Sequence, residues 1–413
     1  MLFSDNRPNR APTAAEAAAM GFCSSLGPFS VNAYVPGFHE MAQQFGTDIV
    51  GVGQSMTLTL LGFALMTLFV GAISDTIGRK RTLVCGMLIY AAATIGAIYS
   101  QTLYALCFWR VLQGMAASVG QVVTQAMVRD RFSGRHAASM NGLIMMFFAI
   151  SPALAPVVGG YIVTWAGWKA VFWFLFVYAF FVAAFMQFCV AETLPPESRR
   201  TFKPVVLVKA YSETFTHKAF MAGVVSNGVS FMGGILYSAG AADYVINIMK
   251  LGVDDFAWLS IPTTMTTLAG SWAATRFLKY MDARPMIYLT CAFAFVVAVS
   301  VAIGEYTFEP GFPWVIAGPC LYWFASSLAR PVMMAMNLDY FPKNRGLAAS
   351  IQQFFVTSSF AFCSAVWVPI VLGSSWKYAS VTAFCVAVTW ILWAYSMSLR
   401  GDALMKAGVK EEL

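Results

Sequence analysis

Long apolar runs constrain this chain more than any other feature of its sequence. A helix needs about 20 apolar residues to cross the hydrocarbon core of a membrane, and we count twelve such runs in the 413 residues. Transmembrane β-strands would instead alternate weakly over about ten residues. We therefore predict an all-α membrane protein whose spans 1 to 12 lie near residues 15–38, 50–73, 82–100, 103–128, 137–164, 168–190, 218–247, 256–278, 285–304, 312–337, 346–373 and 377–399.

Composition excludes a soluble fold of this length. Charged residues make up 11% of the chain and hydrophobic residues 59%, whereas an average soluble domain is about 25% charged. The first apolar run follows no signal-peptide cleavage pattern, so we expect it to be retained as a span.

The sequence offers no recognisable chemistry for an enzyme or a metal site. It contains no phosphate-binding P-loop, no G-x-S-x-G turn and no kinase signature. The eight cysteines lie in apolar runs without a C-x-x-C pair, and His39, His136 and His217 form no zinc motif. We therefore expect no cofactor, no metal and no enzymatic activity.

Basic residues outside the spans concentrate on one side of the predicted membrane. The loops on the other side carry only Lys169, Lys250 and Lys377. Because cytoplasmic loops are rich in Lys and Arg, we expect both termini in the cytoplasm and a location in the cytoplasmic (inner) membrane. The same rule explains the net charge of +7 without a nucleic-acid partner.

The longest polar segment divides the spans into two groups of six. We predict an N-terminal six-helix bundle over residues 1–190, a cytoplasmic linker with a short surface helix over 191–217, and a C-terminal six-helix bundle over 218–413. Two pseudo-symmetric halves of this kind are typical of transporters whose substrate site lies near the middle of the membrane.

The loop between spans 2 and 3 reads GAISDTIGRKRTL and contains Gly71, Asp75, Gly78, Arg79 and Lys80. We expect Gly71 to permit a close approach of helices and Gly78 to adopt a positive φ. Asp75 can accept a hydrogen bond from a neighbouring Arg or face a helix N-terminus. The alternative is an ordinary positively charged cytoplasmic loop.

Two arginines fall inside predicted spans. Arg110 lies in span 4 about 10 Å from one end, and Gln113 follows one turn later. A charge within a span costs about 2.5–3.5 kcal/mol, so Arg110 should face a cavity or a partner unless its side chain snorkels to the interface. Arg330 in span 10 has the same two explanations, and a second cavity cation would favour an anionic or zwitterionic substrate.

Span 5 contains Pro152, Pro156, Gly159 and Gly160. Prolines inside a span kink it, and paired glycines let a neighbouring helix pack tightly. The alternative is general helix packing without a specific role.

Taken together, these motifs resemble the major facilitator superfamily. The loop resembles its G-x-x-x-D-x-x-G-R-R/K signature, Arg-x-x-Gln-Gly resembles the second motif of its proton-coupled drug exporters, and P-x-x-G-G resembles its exporter motif. With Asn32, Tyr34 and Pro36 of span 1, the chain is similar to the bicyclomycin, chloramphenicol and florfenicol-resistance branch. The resemblance implies two six-helix bundles. It also implies gating roles for the loop, as a latch between spans 2 and 11, and for the span-5 motif.

The sequence departs from that branch at Asn32, where the branch usually has an aspartate that carries the proton or faces a cationic substrate. An amide cannot titrate, so we expect Asn32 to hydrogen-bond substrate or Arg110. Asp243, near the end of span 7, is our first candidate for a substitute carrier, and the alternative is a solvated residue at a helix end. Arg110 and Asp243 are therefore the predicted coupling residues.

The family fold places spans 1, 4, 7 and 10 around the substrate cavity, with 2, 5, 8 and 11 beside them. The resemblance therefore implies a set of substrate-binding candidates in addition to Asn32, Arg110 and Gln113: Tyr34, Gln121, Met145, Asn227, Tyr237, Tyr322 and Trp323. Aromatic and Met side chains suit an adaptable apolar pocket, but they also serve as ordinary packing.

The predicted function is export of small amphipathic, drug-like compounds by alternating access in exchange for protons. The expected partners are a small-molecule substrate, membrane lipid and protons, and the expected state is a monomer. A facilitator or symporter for a specific metabolite is the first alternative, which fits Asn32 but not the span-5 motif. A membrane receptor of the same fold that has lost transport is the second.

Overall fold

A computed structural model describes residues 14–132, 134–199, 211–252, 255–308, 311–341 and 345–400 of the chain. The secondary structure in these ranges is helical, without strands. The chain divides into two compact units, Met1–Phe202 and Lys203–Leu413.

The first unit contains seven helices in the part of it that the structure describes. A short 3₁₀ turn, Val35–Gly37, separates the first two, so predicted span 1 is broken near its end. The helices are α1 (Ala14–Asn32), α2 (Phe38–Phe45), α3 (Ile49–Ile77), α4 (Arg79–Ile98), α5 (Leu103–Arg131), α6 (Gly134–Ala166) and α7 (Trp168–Cys189).

The second unit contains six long helices among its described residues. Shorter helical pieces extend two of them: Ala241–Asp243 and Tyr244–Ile248 follow the first, and Cys363–Trp367 and Val368–Val371 follow the fifth. The long helices are α8 (Lys218–Ala239), α9 (Ala257–Phe277), α10 (Ala283–Phe308), α11 (Ala317–Leu338), α12 (Arg345–Phe362) and α13 (Ser375–Ser398).

The two units pack their helices in corresponding pairs. In the first unit α5 packs on α1, α3 and α4, while α4 packs on α7 and α1 on α6. In the second unit α11 packs on α8, α9 and α10, while α10 packs on α13 and α8 on α12. Each pair in one unit has its counterpart six spans later. The prediction of two pseudo-symmetric helical bundles is therefore confirmed.

Local sequence explains where several helices begin. Asp48 caps α3 by accepting a hydrogen bond from the Gly51 N–H at 2.7 Å, and Thr102 caps α5 by accepting from the Ala105 N–H at 3.2 Å. Side-chain acceptors at this position satisfy N–H groups that the first turn leaves unpaired. Gly78 separates α3 from α4 with a φ of +109°, a conformation that favours glycine.

Helix α6 bends by 43° between Met146–Pro152 and Leu154–Ala166. A proline within a helix removes a backbone donor and clashes with the preceding turn, which accounts for a bend at this position. Beyond the bend, a Cβ built on Gly159 would collide with the carbonyl oxygen of Ala33. The expected kink and close helix approach in span 5 are therefore both present.

All twelve predicted spans correspond to helices, but they differ in apolar character. Seven helices in the described ranges are long and apolar enough to cross a membrane, and the bent α6 would make an eighth. The others are α1, α5, α9 and α11, so composition alone does not establish a count of twelve membrane-crossing helices. Helices α1 and α5 carry buried polar side chains such as Asn32, Arg110, Gln113 and Gln121, which lower their mean hydropathy.

The contact at Gly159 generates a stability prediction. We expect Gly159→Ala to lower the free energy of unfolding by about 1–3 kcal/mol, because the added methyl group must displace backbone. Gly53→Ala in α3 is the control, since a Cβ there meets no atom within 4 Å, and it should be neutral or stabilising by up to about 1 kcal/mol. Thermal unfolding in detergent would compare them, and equal stabilities would contradict the close approach.

Candidate functional site

The strongest candidate site in the first unit is a hydrogen-bond network around Arg110 in α5. The Arg110 Nη1 group donates to Gln113 Oε1 at 2.8 Å and to Ser30 Oγ at 3.3 Å. Gln113 Nε2 donates to Thr94 Oγ1 at 2.7 Å, and the Tyr90 hydroxyl donates to Ser30 Oγ at 2.6 Å. Three helices, α1, α4 and α5, thus position one guanidinium group.

Aromatic rings form the other face of this site. The Arg110 guanidinium carbon lies 4.2 Å from the centre of the Tyr34 ring and 5.7 Å from that of Phe172. The Tyr34 hydroxyl is itself fixed by a 3.0 Å hydrogen bond with Ser55 Oγ. A cation over an aromatic face gains about 0.5–2 kcal/mol, so Tyr34 both supports and orients the charge.

The Arg110 charge is completely buried and has no carboxylate partner among the described residues. Its Nε atom also has no hydrogen-bond partner there. Hydroxyl, amide and carbonyl oxygens together with aromatic rings therefore stabilise the cation. A buried charge held only by neutral groups is a favourable place for an anionic or hydrogen-bond-accepting ligand, because intramembrane charges usually mark functional sites.

Asn32 does not make the hydrogen bond with Arg110 that we expected. It is the last residue of α1, and its Nδ2 donates to the Pro28 carbonyl of the same helix at 2.8 Å. Ser30, two residues earlier, contacts Arg110 instead, through both its hydroxyl and its carbonyl oxygen. Residues two apart on a helix point in different directions, so the motif position of Asn32 did not indicate which α1 residue reaches Arg110.

The turn between α3 and α4 is held by ion pairs around Arg79. Arg79 forms a salt bridge with Asp75, and its Nε donates to Asp130 Oδ2 at 2.9 Å. A further hydrogen bond joins Arg79 Nη1 to Ser74 Oγ at 2.6 Å. The carboxylate of Asp75 therefore accepts from a neighbouring arginine, as predicted, while Lys80 is only half-buried.

Glu192, which the sequence analysis did not single out, completes this turn. Its Oε1 atom accepts hydrogen bonds from the backbone N–H groups of Arg79 at 3.0 Å and Lys80 at 3.4 Å. The same oxygen accepts from Thr193 and Leu194 at 3.0 and 3.1 Å. A carboxylate at a helix N-terminus is favoured by the helix dipole. Glu192 therefore fastens the segment after α7 to the start of α4.

The two glycines of this turn behave differently. Gly78 has the predicted positive φ, and a Cβ on it would lie 2.6 Å from Glu192 Oε2. Gly71 has open space, because a Cβ there would meet no described atom within 4 Å. The expected close approach at Gly71 is therefore not present. In span 5, Pro152 is half-buried, whereas Pro156 and Gly160 are buried with Gly159.

In the second unit, Asp243 joins two segments at one end of the bundle. It is only 4% exposed, so the alternative of a solvated helix-end residue is wrong. Its Oδ2 accepts from the Gly373 N–H at 2.9 Å and from the Tyr378 hydroxyl at 3.2 Å, and its Oδ1 accepts from Asn247 Nδ2 at 2.8 Å. Asp243 therefore ties the connection between α12 and α13 to the segment after α8.

A second buried acid, Glu305 in α10, was also missed. It is 5% exposed, and its Oε2 has no hydrogen-bond partner among the described residues. The hydroxyl of Ser375 lies near enough to interact with this carboxyl group. In the sequence this residue stands near the end of span 9, within GEYTFEPG, a composition typical of a solvated loop.

The other predicted substrate residues of the second unit have separate packing partners. The Tyr322 hydroxyl donates to the Ser230 carbonyl at 2.6 Å. The Tyr237 ring stacks on Tyr378 with centres 5.7 Å apart, and Trp323 lies edge-on to Phe231 at 6.0 Å.

Two predicted amides are buried with unsatisfied polar atoms. Asn227 is fully buried, and neither its Nδ2 nor its Oδ1 has a partner among the described residues. Gln121 in α5 likewise has an unpartnered Oε1 atom there. Buried polar atoms are rarely left unpaired, so both amides are candidates for contact with water or ligand. The side chain of Met145 lies outside the described residues.

An apolar groove of about 640 Å³ opens in the first unit between α1, α6 and α7. Its lining includes Phe22, Phe29, Leu154 and Val177, together with Tyr178, whose hydroxyl hydrogen-bonds Ser25 at 2.8 Å. None of the predicted substrate residues is among the described side chains that line it. Within the described ranges, no three His, Cys, Asp or Glu side chains converge as a metal site.

The comparison with protein families identifies the class of this chain. Residues 20–321 match the Major Facilitator Superfamily. The chain belongs to this superfamily. It is therefore a multi-pass membrane transporter, and members of the superfamily are transporters rather than enzymes.

Several bacterial members are similar over most of their length. The chain is 29% identical to the uncharacterized MFS-type transporter YdgK of Bacillus subtilis over 64% of this chain and 68% of that protein. It is 24% identical to the bicyclomycin resistance protein homolog of Haemophilus influenzae, over 80% of this chain and 83% of that one. It is 25% identical to multidrug resistance protein D of Escherichia coli, over 92% and 95%. The resemblance to drug transporters of this superfamily is thereby confirmed.

A solved structure shows the same fold at low sequence identity. A crystal structure of a D-xylose–proton symporter aligns with a TM-score of 0.69 at 14% identity, covering 91% of this transporter and 97% of that chain. The major facilitator fold predicted from the sequence motifs is thus confirmed, while identity at this level carries no information on substrate.

The hydrogen bonds of Glu192 generate a prediction for this transporter. We expect Glu192→Ala to lower the free energy of unfolding of the first unit by about 1–3 kcal/mol, because it leaves backbone N–H groups without their acceptor. Glu197→Ala is the matched control, since Glu197 lies in the same segment and is exposed. Limited proteolysis and thermal unfolding in detergent would compare the two variants. Equal cleavage rates and unfolding temperatures would show that the hydrogen bonds of Glu192 do not stabilise the unit.

Proposed function

We propose that this transporter exports small amphipathic organic compounds from the cytoplasm by alternating access, in exchange for protons. Binding, release and coupling in such a cycle require polar groups within the membrane that a ligand or a proton can engage. The buried, carboxylate-free guanidinium of Arg110 is the observation that carries the proposal. Stabilised only by neutral partners, it is able to accept an additional hydrogen-bond acceptor or anion.

The relatives support the choice of drug-like substrates and of export. Bicyclomycin resistance protein homolog and multidrug resistance protein D match 80% and 92% of this chain. The P-x-x-G-G pattern of α6, with its bend and the close contact at Gly159, resembles the exporter motif. Tyr34 and the apolar groove lined by Phe22 and Phe29 offer aromatic surface for such compounds.

We place the transporter in the cytoplasmic (inner) membrane with both termini in the cytoplasm, and we expect it to work as a monomer. The distribution of Lys and Arg supports this orientation. In it, the ion pairs of Arg79 with Asp75 and Asp130 lie on the cytoplasmic side. There they serve as the gate latch together with Gly71, Gly78 and Lys80.

The proton route needs an acid other than Asn32, and the second unit offers two. Both oxygens of Asp243 already accept hydrogen bonds, so adding a proton to Asp243 would disrupt this arrangement. Glu305 has a buried oxygen without a partner among the described residues, and a proton there displaces no hydrogen bond. We therefore add Glu305 to Asp243 and Arg110 as coupling candidates.

One observation favours a second candidate function. Asn32 cannot titrate, and its amide is engaged within its own helix. A facilitator or symporter for a specific metabolite would need no acid at this position, so it remains the alternative to proton-driven export.

Accumulation measurements separate the two functions. In efflux-deficient bacteria that express the chain, we expect lower accumulation of at least some amphenicols, fluoroquinolones, lipophilic cations or dyes. A protonophore should restore accumulation, because it removes the driving force. Accumulation that is unchanged or raised across the whole panel would contradict drug export and favour the metabolite transporter.

The role of Glu305 can be tested separately from export itself. We expect Glu305→Gln to reduce pH-gradient-driven transport in proteoliposomes about tenfold or more while substrate exchange without a gradient continues, because an amide cannot carry the proton. Asp243→Asn serves as the competing variant, and Glu213→Gln, at an exposed acid of the same unit, as the control. Undiminished gradient-driven transport in Glu305→Gln would exclude Glu305 as a carrier.

A further inference from the structure

Arg330 is the second intramembrane arginine, and its guanidinium lies against an aromatic ring. Its Cζ atom is 4.5 Å from the centre of the Phe231 ring. Arg330 belongs to α11 and Phe231 to α8, two helices that pack on each other within the second unit. Arg330 as a residue is partly exposed, while its Nε atom is buried.

The direction of the side chain excludes snorkelling toward the nearer end of α11. The Leu338 end of α11 and the Lys218 end of α8 lie together, because Tyr340 packs on His217 with ring centres 5.3 Å apart. Arg330 is eight residues, or about 12 Å, from Leu338, whereas Phe231 is thirteen residues, or about 20 Å, from Lys218. The Phe231 side chain leans toward Lys218 and that of Arg330 leans away from Leu338, so they meet between these two levels and the guanidinium is directed away from the nearer end of α11.

No carboxylate compensates the charge of Arg330 among the described residues. The Arg330 Nε atom has no hydrogen-bond partner there, and the guanidinium contacts the ring of Phe231. Aromatic contact alone is a weak substitute for a counterion in an apolar environment. Arg330 is thus a cation that a bound anion can pair with, and its Nε donor has no partner among the described residues.

Asn227 supplies a second, independent observation next to the same ring. It lies one turn before Phe231 on the same face of α8, and Phe231 is the ring that contacts Arg330. Its side chain is fully buried, and neither amide atom has a partner among the described residues. Its N–H₂ group is therefore a second hydrogen-bond donor on the face of α8 that carries Phe231.

Aromatic side chains surround this polar pair. Trp323 and Phe360 both pack edge-on against Phe231, with ring centres at 6.0 and 6.3 Å. Helices α8, α11 and α12 therefore contribute an apolar wall next to the guanidinium of Arg330 and the amide of Asn227. Such a wall suits a flat apolar body, while the donors suit a carboxylate.

We propose that Arg330 and Asn227 form an anion-binding subsite in the second unit, which holds the carboxylate of a small aromatic or otherwise apolar compound. The inference rests on the proposed transport function and narrows its substrates to amphipathic anions and zwitterions. The fixed positive charge of Arg330 selects for the carboxylate, and the rings of Phe231, Trp323 and Phe360 select for the apolar body.

Three probes with one ring system test the subsite on the full chain in detergent. They are 2-naphthoate, the neutral 2-naphthamide and the cationic 2-naphthylmethylammonium, and thermal unfolding against probe concentration gives each apparent Kd. We expect 2-naphthoate to bind about tenfold more tightly than 2-naphthamide, because its charged group pairs with Arg330. Equal affinities, or no stabilisation by 2-naphthoate at any soluble concentration, would overturn the proposal.

Variants of Arg330 and Asn227 test whether these two residues cause the preference for 2-naphthoate over 2-naphthamide. Arg330→Gln should remove the preference for 2-naphthoate and leave 2-naphthamide binding unchanged, while Arg330→Lys should retain part of it. Arg276→Gln is the control, since Arg276 is exposed and stacks on Trp272. If Arg330→Gln does not fold, Arg330→Lys and Asn227→Ala decide, with weaker 2-naphthoate binding expected in both. Unchanged 2-naphthoate binding in Arg330→Lys and Asn227→Ala would overturn the assignment of the subsite to these residues.

The binding test is separate from the export test. Charge-selective binding that depends on Arg330, without export of any compound, would refute the proposed export and leave the subsite standing. Protonophore-sensitive export of neutral or cationic compounds, without preference for 2-naphthoate, would refute the subsite and leave export standing.

Discussion

A charge buried in an apolar bundle must be stabilised by the protein itself, and the first unit is organised around three such charges. Arg110 is held by oxygen dipoles from α1 and α5 and by the ring of Tyr34. Arg79 is held by Asp75 and Asp130, and Arg131 pairs with Glu16 at 3.0 Å. The last two have carboxylates as partners, whereas Arg110 has neutral groups. That difference is the reason why we propose a functional role for Arg110.

Close backbone contact is the second constraint, and it recurs in corresponding places of the two units. A Cβ on Gly114 of α5 would collide with the Thr59 carbonyl of α3, and one on Gly270 of α9 would collide with the Phe324 carbonyl of α11. Small residues at helix crossings gain packing contacts where lipid supplies no hydrophobic driving force. The pairing of helices in each unit therefore depends on the positions of glycines as much as on the positions of large side chains.

The helices follow from the periodicity and length of the apolar runs, so the sequence predicts them well. The loop signature also predicts the Asp75–Arg79 ion pair, because the two residues are four positions apart. The site is less predictable, since its partners are distant in the chain. Ser30 rather than Asn32 reaches Arg110, and Glu192 caps a helix that begins 113 residues earlier. Glu305 resembles a loop residue until the bundle buries it. No spacing rule links such residues, because tertiary packing alone brings them together.

The neutral surroundings of Arg110 have an electrical consequence. Arginine stays protonated at any physiological pH, and no carboxylate among the described residues neutralises this one. A full unit charge that crosses the membrane field changes in energy by about 2.3 kcal/mol per 100 mV. If the proposed alternating-access cycle moves Arg110 through part of that field, its ligand-free step would respond to membrane voltage, and a bound anion would cancel that response.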